Sequence, residues 1–196
     1  ESISRSIPIV LNNVDLQFMP EGGTLVEGIE SWVAFKALNE NGKAADIKGE
    51  VRDESGNTVA TFSSYHFGMG KFRFHPNAGH QYKAVITSPA GIQAVYPLPA
   101  AAVTGVQMHV EKQNKKITVL LNSSVRMEVK LRATVRNTTY YTENVTIRKG
   151  ENNLVMDEAH FPSGIARFTL YAANEMPLAE RLIFLNEDRQ LNVQIS

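Results

Sequence analysis

Three histidines within fifteen residues, His66, His75 and His80, are the first side chains here whose type and spacing invite chemistry. A metal site needs ligands that converge, usually as an i, i+2 or i, i+4 pair with a carboxylate nearby. His75 instead ends an alternating stretch, His80 follows a turn glycine, and neither spacing occurs among the three. They read as polar residues on edges and loops, and His109 and His160 stand alone. Ser163-Gly164 and Ser55-Gly56 are ordinary turn pairs rather than a Gly-x-Ser-x-Gly elbow. Adjacency of Ser63 and Ser64 to His66 says little, because a triad is defined in space. The acidic pairs Asp53-Glu54, Asp157-Glu158 and Glu187-Asp188 sit in expected turns, where carboxylates usually accept from backbone N–H groups. No Asp-x-Asp-x-Asp-Gly calcium loop occurs, and the letters of Asp53–Asn57 are explained by a type I turn. No catalytic residue, metal ligand or cofactor-binding residue is assigned.

Aromatic side chains are the remaining candidates. Trp32 leads Trp-Val-Ala-Phe-Lys-Ala, where Val33, Phe35 and Ala37 point inward and Trp32 shares the opposite face with Lys36. Tyr140 with Tyr141 makes a second site and Tyr65 a third. An exposed Trp on a sheet face can stack on a sugar, while a Trp packed in a seam or under a loop cannot. Trp32, Tyr140 and Tyr141 are the candidate ligand-binding residues.

The elements that position them follow a period of two. Phe72 and Phe74 alternate with Lys71, Arg73 and His75; Pro76 stops the strand and Asn77–Gly79 turn the chain. Tyr82 then opens the next strand, where a tyrosine hydroxyl often pins a sandwich corner. In the first half, strands are expected near Asp15–Met19, Ser31–Leu38, Ile47–Arg52, Thr58–Ser63, Lys71–His75, Gln81–Thr87 and Gln93–Tyr96. Turns at 39–42, 53–56 and 88–91 separate them. In the second half, the expected strands are Val106–Glu111, Lys116–Asn122, Arg126–Arg136, Tyr140–Arg148, Asn153–Asp157, Ala166–Ala172, Ala179–Phe184 and Leu191–Ile195. The clearest runs from Met127 to Val135, with Met127, Val129, Leu131, Ala133 and Val135 on one face and Glu128, Lys130, Arg132 and Thr134 on the other. Pro97-Leu98-Pro99 beside three alanines reads as a short stiff connector. The chain is therefore all-β: two tandem immunoglobulin- or macroglobulin-like antiparallel β-sandwiches, at 1–99 and 100–196.

Composition narrows the function classes. With 196 residues and 43% hydrophobic side chains there is ample core material. Twenty basic and twenty acidic residues give zero formal net charge, so the field of a nucleic-acid binder or an anionic-membrane docker is missing. Without cysteine there is no disulfide, thiolate zinc site, cysteine nucleophile or thioester. No apolar run approaches the roughly 18 residues that span a bilayer, so direct insertion is not expected. Asn122, Asn137 and Asn144 head N-glycosylation triplets that are also ordinary strand and turn composition. The start at Glu1-Ser2-Ile3 and the alternating end at Leu191–Ser196 suggest a piece of a longer polypeptide.

Leu16–Gly28, followed by Val33–Ala37 and Asn41-Gly42, resembles the macroglobulin-like modules (of the MG2 type) of large Bacteroidetes envelope proteins. His66–Pro76 with Gly79 and Tyr82 resembles the continuation of that module. Phe161–Leu170 and Pro177–Phe184 resemble the next macroglobulin-type domain. The resemblance implies an exported protein, periplasmic or outer-membrane-associated, some relatives of which carry a TonB-dependent receptor plug domain. The Cys-Gly-Glu-Gln thioester of protease-trapping relatives has no counterpart here. The expected role is a non-catalytic interaction or spacer module, with further domains of the same polypeptide, another envelope protein or a glycan as partners. The alternative is a carbohydrate-binding module of a surface glycan-uptake system.

Overall fold

The computed structural model describes residues 13–186. Among the described residues there are fourteen strands: β1 Val14–Pro20, β2 Ser31–Asn39, β3 Lys48–Arg52, β4 Thr58–Ser63, β5 Met69–Phe74, β6 Lys83–Ser88, β7 Val95–Pro97, β8 Val106–Gln113, β9 Lys116–Ser123, β10 Met127–Val135, β11 Thr138–Ile147, β12 Gly150–Asp157, β13 Gly164–Ala172 and β14 Pro177–Leu185. A 3-10 turn at Glu158–His160 joins β12 to β13. Each of these strands matches an expected one. The strand expected at Leu191–Ile195 and the turn at Glu187-Asp188 lie outside the described residues.

The alternation behaves as the sequence implies. Along β2, Ser31, Val33, Phe35 and Ala37 are buried while Lys36 is exposed. Along β10, Val129, Leu131, Ala133 and Val135 are buried. Two hairpins are tighter than expected. Asn114 and Lys115 between β8 and β9, and Arg136 and Asn137 between β10 and β11, all have positive φ. A two-residue turn with both residues left-handed matches the twist of the strands it joins. It carries the strands through to Gln113 and Lys116, and to Val135 and Thr138. β7 includes Pro97, which an edge strand tolerates because no ladder bond is asked of its nitrogen.

The strands form four sheets, in the orders β1-β2-β5, β4-β3-β6-β7, β12-β9-β8 and β11-β10-β13-β14. Counted from β8, the second pair repeats the first: a three-stranded sheet of strands one, two and five, and a four-stranded sheet in the order four, three, six, seven. This is an immunoglobulin-like sandwich in which the fourth strand pairs with the third rather than the fifth. The chain divides into two compact units. One holds the described residues up to Met19, with Trp32–Phe74 and His80–Ala100; the other holds Pro20–Ser31, His75–Gly79 and the described residues from Ala101 onward.

In the first unit, the two sheets meet through aromatic edges. Phe62 of β4 lies 5.9 Å from Phe18 of β1, 5.0 Å from Phe35 of β2 and 5.6 Å from Phe72 of β5, centroid to centroid. Such pairs add about 0.5–1.5 kcal/mol each beyond the area they bury. The Tyr96 hydroxyl of β7 donates to the Val14 carbonyl of β1 at 2.9 Å, tying the edges of both sheets. The second unit has an aliphatic core, in which Met108, Val110, Ile117, Val119 and Leu121 from one sheet face Leu131, Ala133, Phe168 and Leu170 from the other. Leu25 and Val26 belong to this unit as well. Ala102 N–H donates to Leu25 and Glu27 N–H donates to Ala102, at 2.8 and 3.0 Å.

Candidate functional site

Trp32 lies on the outer face of β2, half-buried, and the adjacent strand β5 supplies its neighbours. Ala37 N–H donates to Gly68 at 2.8 Å, and the Phe35 ring packs over Gly70. This register turns Phe72 and Phe74 inward and Met69, Lys71 and Arg73 outward, beside Trp32 and Lys36. The Lys71 ammonium stands 4.6 Å from the Trp32 ring centroid, and the Arg73 guanidinium carbon 4.8 Å. Two cations at one indole satisfy its negatively charged faces. The ring is therefore an organiser of positive charge rather than a bare platform.

Tyr140 and Tyr141 owe their placement to a β-bulge. Opposite β10, Tyr141 pairs with Ala133 and Thr139 with Thr134, so Tyr140 is the extra residue. A bulge kinks the strand and re-aims its side chain. Tyr140 is 43% exposed, with its ring 6.3 Å from Phe161. Tyr141 is half-buried against the core, and its hydroxyl donates to Glu143. Burial first, and the Glu143 carboxylate second, push its phenol up to about 12. The pair is thus one exposed ring and one packed ring, not two coplanar ones. Tyr65 is 72% exposed.

Several of the groups with catalytic chemistry hold loops, while His66, His75 and His160 lie exposed. Asp53 accepts from Asn57 N–H at 2.8 Å and closes its own turn. Asp157 caps the 3-10 turn through Ala159 N–H at 3.0 Å. Glu54 accepts from Gln81 N–H at 2.6 Å and pairs with His80 at 3.1 Å. Glu21, which sequence reasoning did not single out, stands 2.9 Å from both His109 and Arg181. Its only sequence signal is a polar residue just after Pro20, in a segment packed on a distant strand. Lys130 and Arg132, expected on the wet face of β10, share Glu175, and Arg132 also lies 4.9 Å from the Tyr171 ring. Among the described residues no group of three or more His, Asp or Glu is placed to hold a metal ion.

The Glu54 carboxyl is drawn down to about 2, chiefly by the Gln81 N–H, then by its own backbone N–H and by His80. A depressed carboxylate contributes stability above its ordinary value of 4.5 and loses it as pH falls through 2. Glu54→Gln is accordingly expected to melt below the parent at pH 6, with the gap closing between pH 4.5 and 2. Melting curves of both proteins across that range check this.

Two clefts lie on the second unit. One, of about 440 Å³, is lined by Lys130, Asn144 and Glu175 among others. Another, of about 500 Å³, includes Glu27, Asn77, Ser123 and Lys149. No helix among the described residues is long and apolar enough to cross a membrane, which says nothing of β-barrels.

No family model matches the chain, and no curated protein matches it in sequence. Solved structures similar to it include a biofilm-associated protein BSP domain, at 16% identity and TM-score 0.37, covering 88% of this chain and 30% of that one. The native conformation of Escherichia coli alpha-2-macroglobulin matches at 11% identity and TM-score 0.31, over 87% of this chain and 14% of that one. The Yersinia pseudotuberculosis adhesin InvE matches at 7% identity and TM-score 0.32, over 89% and 60%. The chain spans less than two thirds of the length of each of these.

Proposed function

We propose that this chain is a non-catalytic β-sandwich module that binds another protein within a larger exported cell-envelope polypeptide. The observation that carries the reading is where the reactive groups are spent. Asp53, Glu54 and Asp157 accept backbone N–H groups, and His80 and His109 are paired with glutamates. What faces outward instead is the material of interfaces: Trp32, Arg73, Met69, Tyr65 and Phe67 in the first unit, and Ile165, Leu182 and Phe184 in the second. Ile165 of β13 and Phe184 of the edge strand β14 are direct cross-strand partners, so their exposed side chains form one patch. Residues 1–99 and 100–196 are proposed as its two sandwiches, in a periplasmic or outer-membrane setting in Bacteroidetes.

The alternative, a carbohydrate-binding module of a surface glycan-uptake system, would use Trp32, Tyr140 and Tyr141. A neutral sugar stacking on Trp32 would have to displace Lys71 or Arg73, which weighs against it.

Photo-crosslinking from Tyr65, from Val155, which is 61% exposed on β12, and from Leu182 in the full-length exported protein tests the proposal. Adducts to a second polypeptide from one of these surfaces are expected. Should no position give an adduct, and should an unrelated sandwich pair replace the segment without loss of function, the module is a spacer.

A further inference from the structure

We infer that the Trp32 face of the first unit docks an acidic, partly apolar segment of a partner protein, an assignment that rests on the interaction-module reading and names its surface. The outward rows of β2 and β5 carry Trp32, Ala34 and Lys36 beside Met69, Lys71 and Arg73. Within β2 and β5 these rows hold no carboxylate. The exposed Glu30 directly precedes β2, so the cationic character of the face rests on Lys36 and Lys71. The third strand of the sheet, β1, contributes Asp15, which accepts from Gln17 at 3.1 Å. Asp46, at the end where β5 begins, is held by Gly68 N–H at 3.0 Å. Among the described residues neither Lys36 nor Lys71 forms an ion pair.

A protein of zero formal charge thus gathers cations on one sheet face and fixes one of them, Lys71, against an indole. A lysine already ordered by the ring loses less freedom when a carboxylate arrives. At the Met69 end the apolar surface continues into the β4–β5 connection. There Tyr65 and Phe67 are 72% and 70% exposed, while the backbone beneath them is bonded from Tyr65 N–H to Met69 and from Met69 N–H to His66, both at 2.9 Å. Aromatic rings, methionine and arginine on a preformed backbone, with a cationic row alongside, match the composition of binding hot spots. The charge selects an acidic partner, and the rings select one with apolar side chains between its acids.

Trp32 is the chain's single tryptophan, so its emission reports on this face alone. The test titrates the intact chain with a decapeptide that alternates glutamate with valine and phenylalanine. A saturable change in emission is expected, weakened about tenfold or more by raising the salt to several hundred millimolar. The same weakening is expected in Lys36→Gln/Lys71→Gln, whose outward positions leave the fold intact, as its melting curve will show. An equal response to the peptide with lysine in place of glutamate, or one that persists in the double variant, overturns the charge reading. A tighter response to polygalacturonate makes this an acidic-glycan site and overturns the protein partner. If no probe moves the emission, yet crosslinks form from position 155 or 182, the interaction module stands and this face is not its surface.

Discussion

Glu158→Ala is expected to unfold the second unit at markedly lower temperature than the parent. Glu158 is 6% exposed, and its Oε1 accepts from Asn186 N–H at 2.5 Å and from Lys112 Nζ at 3.3 Å. Asn186 is itself buried and donates its side-chain amide to the Phe161 carbonyl at 2.7 Å, while Ser163 Oγ donates to the Asn186 carbonyl. One carboxylate therefore joins the end of β8, the 3-10 turn and the end of β14. Removing it strands a buried backbone N–H and takes one partner from Lys112. The first loss costs about 1–3 kcal/mol. The second is discounted, because the Lys112 side chain is about a quarter exposed and can reach water. A total of about 3 kcal/mol corresponds to a Tm lower by roughly 10–20 °C for a unit of this size. Glu158→Gln keeps an acceptor for Asn186 N–H and should lose only about 1 kcal/mol. Lys112→Ala should lose less than Glu158→Ala. Denaturant melts of the three variants provide the check, and a Glu158→Ala melt indistinguishable from the parent would remove the clamp from the account.

Glu158 also shows where sequence reading ends. It belongs to a pair, Asp157-Glu158, whose letters announce a turn and whose expected use was to satisfy backbone N–H groups. Both do so, yet Asp157 bonds locally to Ala159, whereas Glu158 reaches a residue 28 positions away. Local bonds are written in spacing; distant ones are not. The strands were legible because each buries one face, so a period of two carries its own evidence, as the Met127–Val135 strand did. The sandwiches were legible because turn signals recur at short intervals. The tight turns at Asn114-Lys115 and Arg136-Asn137 were missed, since neither ends in the glycine that usually marks them. The candidate site was half legible. Alternation put Trp32 on the outer face with Lys36, but the cations that meet its ring come from β5, and pairing between non-consecutive strands is invisible in a local pattern. Tyr140 and Tyr141 looked like a pair because the bulge that separates their environments depends on the register with β10.

Gly68→Ala is expected to destabilise the first unit strongly, because it meets both a steric and a conformational barrier. Gly68 is buried with φ +72°, and a Cβ placed there would lie 2.4 Å from the Ala37 carbonyl oxygen and 3.0 Å from the Ala45 nitrogen. Both are backbone atoms of packed segments, so neither can swing away as a side-chain tip would. The left-handed backbone alone costs an alanine about 1–2 kcal/mol. Forcing strand β2 or the Ala45 segment aside adds about 1–3 kcal/mol. Gly56→Ala separates the two contributions: Gly56 has φ +86° in the turn after Asp53 and meets nothing within 4 Å. It should lose only the conformational part, about 1 kcal/mol. Paired denaturant melts of the two variants read the difference, and equal losses would show that Gly68 is needed for its φ alone. A larger loss at Gly68 has a second consequence. Gly68 accepts from Ala37 and donates to Asp46, so it fixes the register of β5 on β2 and with it the place of Lys71 and Arg73 beside Trp32. In the folded fraction of Gly68→Ala, Trp32 emission should therefore shift, whereas in Gly56→Ala it should match the parent.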